Sequence, residues 1–159
     1  MEEHAEAELK SCWQLEDVIQ LMLSGDWKCM KERVILISRS VVLSIMEYAR
    51  ACHPKEGILL LKGKVKKERI AVDEVEIPPL AVHGSSFSNF PLHMLPIDFS
   101  IVGTAHSHPS GFLRPSVGDL NNYYGRIMII VAYPYGSERD MGIFNSKGDS
   151  LRYELIGDD

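Results

Sequence analysis

The chain has 159 residues, of which 45% are apolar and 25% charged, as expected for one globular domain with its own core. These values exclude wholesale disorder, collagen and a disulfide scaffold, and no apolar run approaches the roughly 18 residues that span a bilayer. The net charge of −5 is uneven: the first 30 residues hold seven acids and two lysines, and the rest hold 15 acids and 15 bases. An acidic leader on a neutral domain argues against nucleic acid as a partner. The leader also lacks the apolar core of a signal peptide, so we expect a cytoplasmic protein without membrane contact.

The N-terminal segment is predicted to be a helical extension, residues 1–32, in front of a domain at 33–159. Within residues 5–23 the apolar side chains follow three-and-four spacing with acids between them, and a Ser-Gly-Asp sequence then ends the helix. The apolar positions are Leu9, Cys12, Trp13, Ile19 and Met22. Three roles stay open for this helix: packing on the domain, mediating a homodimer, or covering a substrate groove.

The domain is predicted to open with a strand, a helix and a hairpin. Val34–Ile37 is short, apolar and β-branched, which predicts a buried strand. Ser38 can cap a helix from about Arg39 to His53, and the proline that follows ends it, because the residue before proline avoids helical angles. Two strands then form a hairpin around a basic tip: Gly57–Leu61 and Arg69–Ile77.

The second half of the domain begins with a long loop. Residues 78–97 hold four prolines, and loops of this length in compact domains are often functional. Strands that alternate with helices, with hairpins at both ends, predict the α/β class, a mixed β-sheet flanked by helices. The elements after the loop are a strand, a short helix, a strand and a closing hairpin: Ile101–His106, Val117–Tyr124, Arg126–Ala132, and Met141–Asn145 with Leu151–Leu155.

The most informative stretch contains His106, His108, Ser116 and Asp119. Side chains alternate along a strand, so both histidines project from one face and can hold one metal ion. Ser116 fits a helix N-cap, and Asp119 three residues later completes a capping pattern that turns the carboxylate back toward the strand end. Two histidines and one carboxylate leave a fourth tetrahedral position for water, which is typical of a catalytic zinc site.

Each of these features also has a purely structural explanation. His-x-His pairs occur by chance at strand ends, and Ser-x-x-Asp usually does no more than cap a helix. Their combination is specific: His-Ser-His, seven residues, Ser, two residues, Asp. This pattern resembles the JAMM/MPN+ zinc metalloproteases, and the compact archaeal and bacterial isopeptidases are the most similar type. The resemblance covers residues 33–156 and implies a cytidine-deaminase-like sandwich fold.

The resemblance implies a role for each residue of the motif. His106, His108 and Asp119 would bind one Zn²⁺ per chain, and Ser116 would hydrogen-bond the oxyanion. The catalytic glutamate of the family lies between its first long helix and the next strand, and Glu56 occupies that junction here. It would act first as general base and then as general acid. Three other acids are candidates for the same role, but none of them lies at a helix-to-strand junction: Glu47, Glu74 and Asp98.

The same resemblance implies the substrate, an amide or isopeptide bond after the C-terminus of a ubiquitin-like modifier. Residues 81–96 correspond to the first insertion of the family, which contacts the modifier tail. Phe87 and Phe90 are therefore candidate substrate contacts, and the alternative is a packed surface loop. Arg114, in the loop of the motif, is a third candidate. The region of the second insertion, Tyr133–Asp140, is short and has no Cys/His cluster, so we expect no second zinc.

Three other classes of protein share some of these features. A zinc deaminase needs Pro-Cys-x-x-Cys, which this sequence lacks. A non-catalytic MPN-type scaffold module would lack the ligands that are present here. A RadC-like protein shares the local His-x-His-Pro-Ser-Gly sequence, but such chains usually carry an N-terminal helix-hairpin-helix domain, which residues 1–32 are too short to supply.

Overall fold

The computed structural model describes residues 33–78 and 98–157. The predicted N-terminal helix, the division at residue 32, and Phe87 and Phe90 lie outside these ranges and stay predictions. The strands are β1 (Val34–Ser38), β2 (Ile58–Val65), β3 (Arg69–Glu76), β4 (Ile101–His108), β5 (Ile127–Ala132), β6 (Met141–Phe144) and β7 (Tyr153–Ile156). The helices are α1 (Arg39–Cys52) and α2 (Val117–Asn121), and a 3-10 turn covers Glu138–Asp140.

The strands form one mixed sheet in the order β6-β5-β4-β2-β3-β1-β7. β1 pairs in parallel with β3 and β7, and β4 pairs in parallel with β5, whereas the other neighbours are antiparallel. The predicted class, a mixed sheet with helices, is therefore confirmed. β4, which carries both histidines, lies between β2 and β5, in the interior of the sheet.

Helix α1 forms where the sequence predicts it. The Ser38 hydroxyl accepts a hydrogen bond from the Val41 amide at 3.2 Å, which satisfies one of the free N–H groups at the helix start. The apolar residues recur at helical spacing and are buried against the sheet. These residues are Val41, Val42, Ile45, Met46 and Ala49.

Strand β5 is buried along its whole length, so it is covered on both faces. Ile127, Ile129 and Val131 belong to the core beneath α1. Met128 and Ile130 belong to a second, smaller cluster on the opposite face, which the segment after β4 covers through Leu113 and Tyr123. His106 pairs with Ile130 in parallel register, so the histidines share this second face.

The predicted closing hairpin is wrong. The turn itself exists, because Asn145 and Asp149 bond through their backbones at 3.0 Å and Phe144 bridges to Ser150. β7, however, pairs with β1 at the opposite edge of the sheet from β6. Since Ser150 and Tyr153 are three residues apart, the chain can cover only about 10 Å between them. The two edges must therefore approach each other, and the sheet curls around α1.

Three smaller differences concern element ends. β2 extends to Val65, so the basic tip of the first hairpin shortens to Lys66–Glu68. β4 continues through His108 rather than ending at His106. α2 ends at Asn121 instead of Tyr124. Pairing with a neighbouring strand lengthens β2 and β4, and local sequence patterns do not report it.

Close contact between β4 and β5 depends on Gly103. A Cβ atom at this position would lie 2.0 Å from the carbonyl oxygen of Ile127. We expect Gly103→Ala to lower the free energy of unfolding by at least about 2 kcal/mol, because backbone must move to admit the methyl group. Chemical denaturation measures the effect. Gly157→Ala is the control, since nothing lies within 4 Å of its added Cβ, and an equal loss in both variants would contradict the prediction.

Candidate metal centre

Strand β4 places the two histidines on one face of the sheet. Because the strand continues through both positions, His106 and His108 point in the same direction and are buried, at 3% and 7% exposure. Ser107, between them, points to the opposite face. The predicted orientation of the histidines is what the structure shows.

The capping pattern brings the carboxylate to the histidines. The Ser116 hydroxyl accepts from the Asp119 amide at 3.1 Å, and the Ser116 amide donates to Asp119 Oδ2 at 2.6 Å. Asp119 Oδ1 lies 3.3 Å from His106 Nδ1, and Asp119 Oδ2 lies 3.4 Å from His108 Nε2. One ligand atom from each of the three side chains lies within 4.8 Å of the other two. The structure therefore brings together the three residues predicted as ligands.

The surroundings of the histidines suit a metal ion. His108 Nδ1 lies 2.8 Å from the Phe112 carbonyl oxygen, which can only accept, so Nδ1 carries a hydrogen. Nε2, on the side of Asp119, is therefore the nitrogen that can release its proton and bind a metal ion. His106 Nε2 lies 3.2 Å from the Thr104 hydroxyl. Such partners behind the ligands fix the ring tautomer and orientation in metal sites. Two imidazole nitrogens and one carboxylate, buried together, fit a tetrahedral zinc site with one open position.

Burial and hydrogen bonding act in opposite directions on the charges of this cluster. Burial by itself would raise the pKa of Asp119, but hydrogen bonds from His106, His108 and Ser116 outweigh it and hold that pKa well below its usual range. Burial by itself would lower the pKa of His108, whereas its contacts with Asp119 and the Phe112 carbonyl raise it. The carboxylate is therefore ionised and ready to bind a cation at neutral pH.

Glu56 lies across the strand pair from His108. β2 and β4 are antiparallel with Ile58 opposite His106, so continuing the register two residues back places Glu56 opposite His108. Glu56 is exposed, and its charge contributes to the raised pKa of His108. This is the helix-to-strand junction that the sequence indicated.

The competing acids lie elsewhere. Glu47 is exposed on α1, and Glu74 is exposed on β3. Asp98 accepts from the Ser100 amide and hydroxyl at 2.8 and 2.6 Å. Arg114 is exposed between β4 and α2, in the segment that follows the histidines.

Ser107 anchors the junction that carries Glu56. Its hydroxyl accepts from the Gly57 amide at 2.8 Å, and its own amide donates to the Gly57 carbonyl at 3.0 Å. Gly57 has no space for a side chain, because a Cβ there would lie 2.8 Å from the Tyr48 ring and 2.9 Å from Cys52 Sγ. The middle residue of the His-Ser-His sequence therefore fixes the backbone next to Glu56.

Two supporting contacts escaped the sequence analysis. Thr104 contacts His106, and the alternation along β4, which puts residues 104, 106 and 108 on one face, could have found it. The specific contact of Ser107 with Gly57 depends on strand pairing across 50 residues, and the local sequence carries no signal for it.

Removal of the Ser107 hydroxyl should weaken this junction. In Ser107→Ala the buried Gly57 amide loses its acceptor, so we expect the free energy of unfolding of the metal-free chain to fall by about 1–3 kcal/mol. Amide exchange at Gly57, followed by NMR, should accelerate in parallel. Ser110→Ala is the control, because that serine is exposed and its hydroxyl contacts only the nearby Phe112 amide in the described structure. Unchanged exchange at Gly57 would show that the hydroxyl does not hold the junction.

Comparison with known proteins places this geometry in a family. Residues 38–144 match the family described as prokaryotic homologs of the JAB domain. The chain belongs to the JAB/JAMM family. The resemblance found in the sequence is thereby confirmed, and the matched range contains Glu56, both histidines and Asp119.

Relatives of this JAB/JAMM protein agree in sequence and fold. A protein of Haloferax volcanii named "Probable metalloprotease" is 32% identical over 133 residues, which cover 79% of this chain and 82% of the relative. A solved JAMM structure, described as a metalloprotease-like zinc site in the proteasome and signalosome, is 32% identical with a TM-score of 0.56 and covers 77% of this chain and 98% of its own. A JAB1/MPN domain protein from Archaeoglobus fulgidus is 32% identical with a TM-score of 0.55, covering 77% and 96%.

Neither of the two α-helices in the described ranges is long and apolar enough to cross a membrane.

Proposed function

We propose that this JAB/JAMM protein is a zinc-dependent isopeptidase that hydrolyses the amide or isopeptide bond after the C-terminus of a ubiquitin-like modifier. The observation that carries the proposal is the convergence of His106, His108 and Asp119 within 4.8 Å, with Glu56 two residues before β2 and near enough for its charge to raise the pKa of His108. The Haloferax volcanii relative named as a probable metalloprotease supports the reaction class. The modifier as substrate follows from the family resemblance of the motif.

The three convergent residues would hold one zinc ion per chain. They supply three donors and leave the fourth tetrahedral position open, as in catalytic rather than structural zinc sites. Zinc supplies Lewis acidity there, which polarises a carbonyl group and makes water a nucleophile near neutral pH.

Glu56 moves the proton in this proposal. As water attacks the carbonyl carbon, the Glu56 carboxylate accepts its proton, and it delivers that proton to the amine nitrogen as the C–N bond breaks. Ser116 would donate to the oxyanion. In support of this role, its hydroxyl oxygen accepts from the Asp119 amide, so its own hydrogen remains available to donate.

The substrate contacts and partners are further parts of the proposal. Phe87 and Phe90, in the segment between β3 and β4, and the exposed Arg114 would meet the extended tail of the modifier, which can bind by adding a strand. Conjugates of ubiquitin-like modifiers are the expected partners, and residues 1–32 could join two copies of the chain.

A matched set of conjugates tests the function. Purified full-length protein, loaded with one equivalent of zinc, is incubated with a ubiquitin-like modifier that is isopeptide-linked through its terminal Gly-Gly to a lysine. We expect mass spectrometry to show release of the intact modifier and of free lysine amine, loss of cleavage with a chelator, and recovery when zinc is restored. In the control conjugate the modifier ends in Gly-Pro instead of Gly-Gly, and we expect no cleavage of it.

Two results would contradict the proposal in different ways. Cleavage of unfolded casein together with both conjugates would indicate a general protease without selectivity for the modifier. Tight binding of one zinc ion without cleavage of modifiers from several classes would favour the scaffold interpretation.

A further inference from the structure

Tyr135 has an uncommon backbone conformation just after β5. Its φ is +58°, a value that is rare for residues with a side chain. The Arg50 guanidinium donates to its carbonyl oxygen at 2.6 Å, and its amide donates to the Ala132 carbonyl at 2.9 Å. Strained conformations of this kind persist where the surroundings impose them, and they concentrate at functional sites.

An aromatic cluster connects Tyr135 to the segment that carries Glu56. The ring of His53 stacks on Tyr133 with centroids 5.1 Å apart. The Tyr135 ring stands edge-on to both, at 6.1 Å from His53 and 5.9 Å from Tyr133. His53 is the C-cap of α1, three residues before Glu56. The cluster therefore ties the end of β5 to the connection between α1 and β2.

The hydroxyl of Tyr135 is buried in the core that Ser107 faces, because Ser107 pairs in register with Val131, and Val131 and Tyr135 belong to the same core cluster. Tyr135 is 1% exposed, and in the structure its hydroxyl oxygen makes no hydrogen bond. Burial raises the pKa of Tyr135, Ser107 opposes that rise, and the nearby charge of Glu56 adds to it. A buried phenol normally finds a partner, because an unsatisfied hydroxyl costs free energy.

We propose that Tyr135 is a positioning residue for Glu56, whose buried hydroxyl donates a hydrogen bond to Ser107 Oγ in the working enzyme. Ser107 Oγ accepts from the Gly57 amide and has a second lone pair for the phenol. The hydrogen-bonded series Tyr135–Ser107–Gly57 would then fix the backbone on the C-terminal side of Glu56. The aromatic cluster contacts the same α1–β2 connection on the N-terminal side of Glu56, through His53. This inference rests on the proposed function.

Tyr135→Phe removes the hydroxyl and keeps the ring. We expect amide exchange at Gly57 to accelerate about tenfold, the effect of one lost hydrogen bond, in both the metal-free and the zinc-loaded chain. With the cleavable conjugate we expect kcat to fall about tenfold, with KM and zinc content unchanged. Tyr153→Phe is the matched control, because that partly buried phenol packs against the core from the edge strand β7, which is not a neighbour of β4 or β5 in the sheet.

A double-mutant cycle with Ser107→Ala tests whether Tyr135 acts through Ser107. We expect the double variant to show the same Gly57 exchange and kcat as Ser107→Ala alone. Unchanged exchange and kcat in Tyr135→Phe, or independent losses that multiply in the double variant, would overturn the proposal. If the wild type cleaves no conjugate, the function has failed, whereas the exchange cycle at Gly57 still decides the positioning role.

Discussion

Replacement of Glu56 by glutamine is expected to lower kcat by about 10³-fold while the protein still binds one zinc ion. Glutamine keeps the size and polarity of the side chain but cannot accept a proton from water or return it to the leaving amine. Proton transfer of this kind contributes about 10²–10⁴-fold in enzymes. Because Glu56 is exposed and the three predicted ligands are other residues, neither folding nor metal affinity should change. Steady-state cleavage of the modifier conjugate and metal analysis of the same sample measure both quantities.

The control for this variant is Glu47→Gln. This substitution makes the same chemical change at an exposed position of α1, away from the strand pair that carries the site. It should leave kcat unchanged. If Glu56→Gln lost zinc in proportion to activity, Glu56 would be a ligand rather than the base, and if it retained full activity, another group would have to move the proton.

Local geometry explains why the sequence predicted so much of the site. The orientation of His106 and His108 needs nothing beyond the alternation of a strand, and the approach of Asp119 needs nothing beyond one capping box at Ser116. Helix α1 likewise follows from its cap and the spacing of its apolar residues. Each of these features is local, and the longest, α1, spans 14 consecutive residues, so its signal is contained in the local sequence.

The failures concern contacts between distant parts of the chain. The turn after β6 predicts a hairpin with β7, but the partner of β7 is β1, more than 100 residues earlier. The anchor between Ser107 and Gly57 and the cluster of His53, Tyr133 and Tyr135 arise in the same way. Strand order and packing decide these contacts, and neither has a local signature. The residues of the candidate metal centre were therefore predictable, whereas the long-range contacts that support them were not.

Asp119→Asn is expected to lower zinc affinity by at least about 100-fold, since it removes the negative donor of the cluster, and losses near this size follow even from changes behind the ligands. The amide oxygen of asparagine can still accept from the Ser116 amide, so the turn that begins α2 should persist. A competition titration against a chelator of known affinity measures the loss, and activity at limiting zinc should fall with it.

The chain contains its own control for the capping role. Asp140 closes a second Ser-x-x-Asp capping box, with its Oδ2 accepting from the Ser137 and Gly136 amides at 3.1 and 2.7 Å. It belongs to no metal-binding group among the described residues. Asp140→Asn therefore makes the same chemical change in the same local motif without the histidines. Equal losses of zinc affinity in the two variants would assign the effect to capping, whereas a loss confined to Asp119→Asn assigns it to the metal, because only that carboxylate faces His106 and His108.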